Sequence, residues 1–581
     1  MKRGIIIVGL GLLVFGLMSV MRPKTISNSD RPPVPQTPGY SQPNVILISL
    51  DTLRPDHLGC YGYPRETSPN LDRLARSGVV FKTARSQAPW TLPSHMSLFT
   101  SMLPSHNRVE DLNEVLSSKL RTLPEALTAA GYETAAIVNN GQMKQHWGFG
   151  RGFNKWREFE VDTPEGNCES ITGHAVDWLG ANKNENSDSP FFLFLHYFDV
   201  HEPYHAPAKF REQFGVEVTG PETRQIMWRA RTPARDLTEQ EKRSAIDAYD
   251  AEIAWLDAEL GRLFKAVPEN TLVVVFSDHG EAFDEHGWTL HGATLHEEEI
   301  RTALIMSGPG IEPSEIETPV MLMDVAPTIL EICEIGVPFQ FEGLSLMPAI
   351  QGGKLPERLS LSETKRVIEG KFSRTIIAGN RKLIWEFPDS LAVYELPAET
   401  EPLPGEEALG KMMSEWNSEN GFALITAAGK GRFEARLTAP PDSLLLFLPI
   451  GFEAGRDHFM PSENGSGLHW IAYLSEHPKF MYIEFDDGTK EIEIDCLVKD
   501  EREREMIFLP GGEHPDSVPF RWNLAAVTSD SWEGKKVGQR MPKPGFHIQK
   551  FRPARTSTVK PKGGRLDAKT IQKLKSLGYL R

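Results

Sequence analysis

The stretch NVILISLD, residues 44–51, is a nearly unbroken apolar run that ends on a carboxylate. Apolar runs without alternation are typical of strands that are covered on both faces of a sheet. Four more such runs follow, at residues 134–138, 191–198, 272–276 and 303–306. Helix signals separate them, among them Ser68-Pro69 and a capping box at Thr122. This pattern predicts an α/β fold, a mostly parallel sheet sandwiched by helices, over about residues 44–350.

The character of the sequence changes after Gly410. Short β-type runs follow, at residues 433–437, 444–448, 469–474 and 480–485. Asp486-Asp487-Gly488-Thr489 predicts a hairpin turn that leads into residues 491–498. The spacing predicts a C-terminal subdomain with a β-sandwich insert at roughly 420–545. The expected domains are therefore a catalytic domain at 44–409, a β-rich inserted domain at 410–548 and a tail at 549–581.

The first residues predict an export signal and a tether. Met1-Lys2-Arg3 is a positively charged start, and residues 4–21 are almost purely apolar, the pattern of a signal anchor or a signal peptide. No small-x-small cleavage site follows, which favours an uncleaved anchor. Residues 22–43, rich in Pro, Ser and Gln, predict an extended linker. We therefore expect the rest of the chain outside the cytoplasm, in the periplasm or at the cell surface, and attached to the membrane by residues 4–21.

The charge balance excludes one class of partner. The chain has 63 basic and 79 acidic side chains, for a net charge of −16. No cationic excess is present to neutralise a phosphate backbone, so we expect no nucleic-acid partner. The oligomeric state is not predicted.

Polar residues stand directly after the apolar runs, where the carboxyl ends of parallel strands line a ligand site. They are Asp51, Asn139, Asp199, His201, Asp278 and His279. Two carboxylates and an imidazole at one sheet edge would repel or desolvate one another unless a cation lay between them. Asp51, Asp278 and His279 therefore predict a divalent metal ion. The imidazole favours Mn²⁺ or Zn²⁺ as the bound ion. Ca²⁺ is the less favoured alternative, because it prefers a shell of oxygen ligands alone.

Thr91 precedes Pro93 and a short helical run at residues 94–100. Its hydroxyl is therefore expected at a helix N-terminus, where backbone N–H groups favour an anion. An ordinary N-cap is the simpler role for such a residue. A metal ion that touches the hydroxyl would lower its pKa and make Thr91 a nucleophile, and the two roles are compatible.

His201 and His291 are the candidates for acid–base chemistry. Each can hold the non-bridging oxygens of an ester or protonate a leaving alkoxide, and the sequence leaves the division of these roles open. His95, Asp199 and Asn139 stand beside the predicted helix start and strand ends. We assign these three residues to substrate contacts.

Several ordered motifs resemble the sulfatase family, a branch of the alkaline phosphatase superfamily. Residues 44–59 resemble its opening strand and first metal ligand, and SDHGE at 277–281 resembles its second metal motif. Further matches lie at residues 324–330, 343–346, 394–396 and 574–580. The resemblance thus covers about residues 44–400 and the last dozen or so, and it omits the β-rich region.

The resemblance implies a metal ion held by Asp51, Asp278 and His279 that contacts the nucleophile, with His201 and His291 at substrate-binding positions. TLPSH at 91–95 stands where sulfatases have Cys-x-Pro-Ser-Arg, or a serine version, whose first residue is oxidised to formylglycine. Threonine cannot be processed in that way. Thr52 stands where many members have a second aspartate, and NNGQ at 139–142 replaces a basic Lys-x-His pair.

The nucleophile indicates the reaction. A hydrated aldehyde can expel sulfate by breaking its own C–O bond, whereas a sulfurylated threonine must wait for water to attack sulfur. A phosphorylated threonine can be hydrolysed by a metal-activated water. We therefore expect an exported, metal-dependent hydrolase that cleaves phosphate or phosphonate esters, small-molecule or glycan-linked, through Thr91. The alternatives are a sulfuric ester hydrolase and an inactive sulfatase-like protein whose β-rich insert binds glycans.

Overall fold

The computed structural model describes residues 42–112, 114–139, 141–160, 167–184, 189–230, 236–366, 371–386, 390–399 and 402, and ten strands between 422 and 550. In this part of the chain, no helix combines the length and the apolar character that a membrane span requires. The predicted anchor, nearly all of the predicted linker and the matching segment at 574–580 lie outside the described residues.

A sheet of eight strands forms the centre of the catalytic domain. In spatial order the strands are β12 (Ser314–Ile316), β2 (Val79–Phe81), β11 (Leu304–Ser307), β7 (Thr271–Ser277), β1 (Asn44–Leu50), β6 (Phe191–Tyr197), β4 (Glu133–Val138) and β5 (Lys155–Glu158). Only β11 runs antiparallel to its neighbours in this sheet. The predicted mostly parallel sheet is confirmed, and the five apolar runs of the sequence are its β1, β4, β6, β7 and β11.

Smaller strands surround this sheet. β3 (Ala84–Arg85), β10 (Arg301–Thr302) and β13 (Val320–Met321) form a second sheet, and β8 (Ala282–Phe283) pairs with β9 (Thr289–Leu290).

Helices cover both faces of the central sheet. The α-helices are α1 (Pro69–Arg76), α2 (Thr91–Thr100), α3 (Pro104–Asn107), α4 (Leu123–Ala129), α5 (Cys168–Asn184), α6 (Ala208–Phe214), α7 (Gly220–Ala230), α8 (Glu239–Phe264), α9 (Glu297–Ile300), α10 (Val325–Ile332) and α11 (Met347–Ile350). Short 3₁₀ helices span Pro55–His57, Gly59–Tyr61, Gln145–Trp147 and Leu322–Asp324. The capping box predicted at Thr122 begins α4, with Glu125 as its partner.

Two hydrophobic clusters, one on each face, hold the helices to the sheet. Val45 and Leu47 of β1 pack with residues of α2 such as Met96. Ile46 and Ile48 point to the opposite face, where residues of α8 join them. Because successive side chains of a strand alternate between faces, a strand covered on both faces must be apolar throughout.

The C-terminal part of the described chain is antiparallel. β14 (Ser360–Arg366), β15 (Lys371–Ala378), β16 (Arg381–Glu386) and β17 (Ser390–Glu395) form a meander that the sequence analysis did not predict. The insert strands follow: β18 (Phe422–Ala428), β19 (Gly431–Thr438), β20 (Leu444–Ile450), β21 (His458–Pro461), β22 (Gly467–Leu474), β23 (Lys479–Phe485), β24 (Glu493–Lys499), β25 (Glu505–Met506), β26 (Phe520–Asn523) and β27 (Gly545–Lys550).

These insert strands form two antiparallel sheets, as a β-sandwich requires. One contains β20, β23, β18 and β27, and the other contains β21, β22, β19, β24, β25 and β26. The hairpin predicted between β23 and β24 is wrong, because these strands lie in different sheets. A turn signal is local, whereas pairing depends on which sheet buries each strand.

Candidate metal centre and active site

The carboxyl ends of β1 and β7 bring three predicted metal ligands together. The two strands are parallel neighbours with Leu50 opposite Ser277, so Asp51 and Asp278 leave the sheet side by side. His279 Nε2 lies 3.6 Å from Asp51 Oδ1 and 3.4 Å from Asp278 Oδ2. One ligand atom from each of the three residues lies within 4.8 Å of the others, and all three side chains are buried. The spacing suits a single divalent cation.

Hydrogen bonds orient these ligands. The Nδ1–H of His279 donates to the carbonyl of Gly280 at 3.0 Å, which leaves the Nε2 lone pair for a cation. Asp278 Oδ1 accepts from the backbone N–H groups of Thr52 at 3.2 Å and His279 at 2.9 Å. Asp278 Oδ2 is buried and accepts no hydrogen bond from any group in the described ranges. A buried carboxylate oxygen without a donor fits a metal ligand.

The electrostatics of the site also favour a cation. Burial, and then the charge of Asp51, raises the pKa of Asp278 well above its usual range. Burial, and then the nearby His291, lowers the pKa of His279 well below its usual range. The imidazole is therefore neutral, as a metal ligand must be, and the two carboxylates need a positive charge between them to be ionised together.

Thr91 lies at the same centre. Its buried Oγ1 is 3.3 Å from His279 Nε2, the atom that also approaches both carboxylates. Helix α2 begins at Thr91 itself, and the residue before it, Trp90, occupies the N-cap position. The N-cap role considered for Thr91 is therefore wrong. Its hydroxyl faces the ligand group instead.

Backbone strain occurs beside the centre at two residues. Thr52 has φ 57° and Leu290 has φ 65°, a region that side chains rarely adopt, least of all a β-branched one. Thr52 donates its N–H to Asp278, and Leu290 precedes His291. Five other non-glycine residues of the described ranges, among them Ser101 and Glu334, also have positive φ, so such strain is not confined to the site.

His291 and His201 extend the site from His279. The ring centroid of His291 lies 4.5 Å from that of His279 and 4.9 Å from that of His201. The Nδ1–H of His291 donates to Glu281 Oε1 at 3.1 Å, and the Nδ1–H of His201 donates to the carbonyl of Glu202 at 2.6 Å. Both rings are buried and both have a fixed orientation. The structure thus brings the two predicted acid–base residues to the predicted metal site, with His291 beside His279 and His201 beside His291.

His95 lies beneath Thr91. Its Nδ1–H donates to the carbonyl of Thr91 at 2.8 Å, and its Nε2 accepts from the hydroxyl of Ser49 at 2.7 Å. Both ring nitrogens are thus engaged by the protein, which is the arrangement of a supporting residue. The sequence analysis assigned His95 to a substrate contact, but in the structure its two ring nitrogens hydrogen-bond Thr91 and Ser49.

Asp199 and Asn139 each have a side-chain oxygen in contact with a protein group. Asp199 Oδ1 accepts from the N–H of Cys168 at 2.7 Å, at the start of α5, and burial raises the pKa of Asp199 to about 7. Asn139 Oδ1 lies 3.4 Å from His196 Nδ1. These contacts are with a helix start and with a buried histidine, whereas the buried Asp199 Oδ2 has no hydrogen-bond partner among the described residues. The substrate contacts expected of Asp199 and Asn139 remain predictions.

Sequence reasoning missed four residues around the site. His196 and Ser49 are opposite each other in the register of β6 and β1. Gln142 accepts from the N–H of Leu92 at the start of α2, and Glu281 orients a predicted catalytic histidine. A histidine and a serine inside otherwise apolar strands were the signal available for the first two. Gln142 and Glu281 stand in the motifs NNGQ and SDHGE, but their orienting roles depend on contacts that form only in the fold.

Asp278 also belongs to a second group of close ligand atoms, with His95 and His196. A cation there would take one ring nitrogen of His95, and so break its hydrogen bond of 2.7 Å with Ser49 or its hydrogen bond of 2.8 Å with the carbonyl of Thr91. Each broken bond to a buried group costs about 1–3 kcal/mol. In the first group a cation displaces only the longer contact, of 3.3 Å, between His279 Nε2 and the Thr91 hydroxyl, so that group is the better site.

A third group joins His286, His296 and Glu399. His286 hydrogen-bonds Glu298 Oε1 through Nδ1 and the carbonyl of Glu399 through Nε2, at 2.7 and 2.8 Å. Although burial opposes the charge, Glu298 raises the pKa of His286 to about 9. A protonated imidazole that donates from both nitrogens is no metal ligand. This group is an ion-pair network.

Comparison with known proteins agrees with this geometry. Residues 43–335, about half of the 581 residues, match the family model Sulfatase. A sulfatase of Formosa agariphila is 25% identical over 370 residues, which cover 53% of this chain and 73% of that protein.

Solved structures share the fold. A phosphonate monoester hydrolase of Agrobacterium radiobacter has a TM-score of 0.54 and 19% identity, over 64% of this chain and 94% of that one. A protein in complex with its substrate D-glucosamine-2-N,6-O-disulfate has a TM-score of 0.55 and 21% identity, over 64% and 96%. The predicted α/β architecture is confirmed by these matches.

Proposed function

The chain belongs to the sulfatase family of ester hydrolases, and we propose that within this family it cleaves a phosphate or phosphonate ester through Thr91. The observation that carries the proposal is the 3.3 Å between Thr91 Oγ1 and His279 Nε2, at the point where Asp51 and Asp278 converge. The side chain at this point is an unmodified hydroxyl, which cannot become formylglycine.

Asp51, Asp278 and His279 fit a divalent cation, which when bound neutralises the ester oxyanion and lowers the pKa of an adjacent hydroxyl. We propose Mn²⁺ or Zn²⁺, because an imidazole is among the ligands. Ca²⁺ is the alternative. Metal analysis of the purified protein distinguishes the three ions.

In the proposed reaction, Thr91 is the nucleophile and a histidine is the proton donor. The hydroxyl of Thr91 gives its proton to His201 or His291, and its oxygen forms a bond to phosphorus while the bond from phosphorus to the ester oxygen breaks. His201 or His291 then gives a proton to the departing alkoxide, since the ring of His291 lies next to that of His279 and the ring of His201 lies next to that of His291. A water molecule attacks phosphorus, the bond to the Thr91 oxygen breaks, and the hydroxyl recovers its proton. The products are the alcohol and the phosphate or phosphonate.

The nucleophile supports a phosphorus ester over a sulfate ester, and the fold is compatible with both. The hydroxyl of Thr91 can form and release a phosphoryl group by water attack, whereas it lacks the C–O cleavage route by which an aldehyde hydrate releases sulfate. A phosphonate monoester hydrolase also shares the fold. The structure with D-glucosamine-2-N,6-O-disulfate supports an ester on a sugar as well as on a small molecule.

The test is a substrate panel with metal-free enzyme to which Mn²⁺, Zn²⁺ or Ca²⁺ is added back. Aryl phosphate monoesters and diesters, an aryl phosphonate monoester and an aryl sulfate are compared for the wild type, Thr91→Ser and Thr91→Val. We expect turnover of a phosphorus ester that Thr91→Ser retains and Thr91→Val lowers by about 10³-fold or more, because only the second variant lacks the hydroxyl.

Tandem mass spectrometry after rapid quenching supports or opposes the intermediate directly. A phosphoryl group on the peptide that contains Thr91, absent from Thr91→Val, is the expected result. Turnover of the sulfate alone would overturn the proposal in favour of a sulfuric ester hydrolase. A metal-loaded protein that turns over none of the four esters would favour the inactive, glycan-binding alternative.

We also propose that the chain acts outside the cytoplasm, attached to a membrane by residues 4–21. The support is the positively charged start and the apolar run of the sequence. Protease accessibility of the catalytic domain in intact cells, with and without residues 1–21, tests this location.

A further inference from the structure

His196 is a fully buried polar residue that the proposed reaction does not use. It lies near the carboxyl end of β6, the strand that pairs with β1. Its Nε2 is 3.5 Å from Asp51 Oδ2, and its Nδ1 is 3.4 Å from Asn139 Oδ1. No group within the described ranges forms a hydrogen bond with Nε2. The imidazole therefore bridges the space between a predicted metal ligand and a buried amide.

The chemistry of the two neighbours decides which nitrogen of His196 carries a proton. A carboxylate oxygen only accepts, so Nε2 must be the donor toward Asp51. An amide can accept or donate, because exchanging its oxygen and nitrogen turns Asn139 into a donor to Nδ1. One arrangement thus satisfies all three groups: Asn139 donates to His196, and His196 donates to Asp51.

We propose that His196 is a positioning residue of the metal centre, which holds Asp51 Oδ2 so that Oδ1 is presented to the cation. Asp51 Oδ1 is the oxygen nearer to His279 Nε2, at 3.6 Å. The separations of His196 are longer than a hydrogen bond of about 3.0 Å. Such contacts often tighten once a site is loaded. The inference rests on the metal centre of the proposed function and not on the ester that is cleaved.

A second buried histidine performs the corresponding task for the nucleophile. His95 donates to the carbonyl of Thr91 and accepts from Ser49, the residue opposite His196 in the sheet. The ring centroids of His95 and His196 are 5.1 Å apart. Thr91 is therefore in contact with the imidazole of His95, which lies on α2, and Asp51 is close to the imidazole of His196, which lies on β6.

The experiment measures metal affinity by competition with a chromogenic chelator, so that it does not depend on turnover. The wild type, His196→Ala and His196→Gln are titrated with Mn²⁺ and with Zn²⁺. Residues that orient a metal ligand typically contribute 10–100-fold in affinity, so we expect a loss of about that size in His196→Ala. His196→Gln keeps an N–H donor and is expected to recover most of the affinity.

His57→Gln is the matched control. His57 is also buried, and its Nδ1 hydrogen-bonds a carboxylate oxygen of Asp250 at 2.7 Å, but none of the three predicted ligands is its partner. We expect this control to lower thermal stability and to leave metal affinity unchanged. Asn139→Leu provides a second variant should His196→Ala fold poorly, and it is expected to weaken metal binding in the same direction by a smaller factor.

The outcomes separate this inference from the function on which it rests. A wild-type protein that binds no metal overturns the metal centre itself. A wild-type protein that binds one ion, with His196→Ala binding as tightly, overturns the positioning role alone. Two ions per wild-type chain and one in His196→Ala would make His196 a ligand of a second cation, which also overturns the positioning role.

Discussion

The substitution Asp278→Asn separates the metal role of this carboxylate from its structural role. Asp278 Oδ1 accepts two backbone N–H groups, and an asparagine oxygen can accept the same two. Oδ2 has no hydrogen-bond donor in the described residues, and it is the oxygen that approaches His279. The substitution therefore removes the charge that a cation needs and preserves the local backbone hydrogen bonds.

The expected magnitude follows from linkage. A ligand that binds only the folded state at about 100 times its Kd stabilises that state by about 2.7 kcal/mol. For a domain of 150–250 residues, each kcal/mol of stabilisation raises Tm by about 2–4 °C. The catalytic domain here is larger, so its Tm shift per kcal/mol is about 2 °C or less, and the bound cation should raise Tm by roughly 5 °C at most. Asp278→Asn should lose this increase. Its metal-free Tm should equal or exceed that of the metal-free wild type, because a neutral amide avoids the cost of ionising or protonating a second buried carboxyl group beside Asp51.

The assay is thermal unfolding at neutral pH, with a chelator or with Mn²⁺ or Zn²⁺ in excess. Asp257→Asn is the control, since Asp257 is another buried carboxylate that accepts from the N–H groups of Asn70 and Leu71. That variant should be less stable than the wild type and should keep the metal-dependent increase. An unchanged increase in Asp278→Asn would refute its assignment as a metal ligand.

Three further variants test other features. Gly280→Ala should weaken metal binding at least tenfold in chelator competition, because a Cβ there would lie 2.1 Å from the carbonyl oxygen of Glu298 and displace the backbone beside the centre. Thr238→Ala removes the capping box of α8 and should lower the free energy of unfolding by about 1 kcal/mol in denaturant titration. Although burial opposes the charge, Glu298 raises the pKa of His286 to about 9. The ion pair therefore adds roughly 2 kcal/mol to the free energy of unfolding, after allowance for its partial exposure. This contribution should be fully present below pH 6.5 and should be lost as the pH rises through 9. His286→Gln should remove that pH dependence, and unfolding curves from pH 6 to pH 10 measure it.

The sequence by itself predicted the sheet and a group of three residues, two aspartates and a histidine, that could hold a metal ion. Strands covered on both faces must be apolar throughout, so β1, β6 and β7 were visible as unbroken runs, and the polar residue after each run marked the ligand edge. Asp51, Asp278 and His279 follow two of these runs directly. Their meeting required only that the strands be parallel neighbours.

What the tertiary structure decided is the partner of each polar group. His95 and Asn139 occupy positions where a substrate contact was reasonable, yet their hydrogen bonds go to Thr91 and Ser49 and toward His196. Strand pairing decided likewise that β23 and β24 belong to different sheets. The physical reason is that periodicity reports which face of an element is buried, whereas a hydrogen bond depends on atoms that lie far apart in the chain and meet only when strands and helices pack.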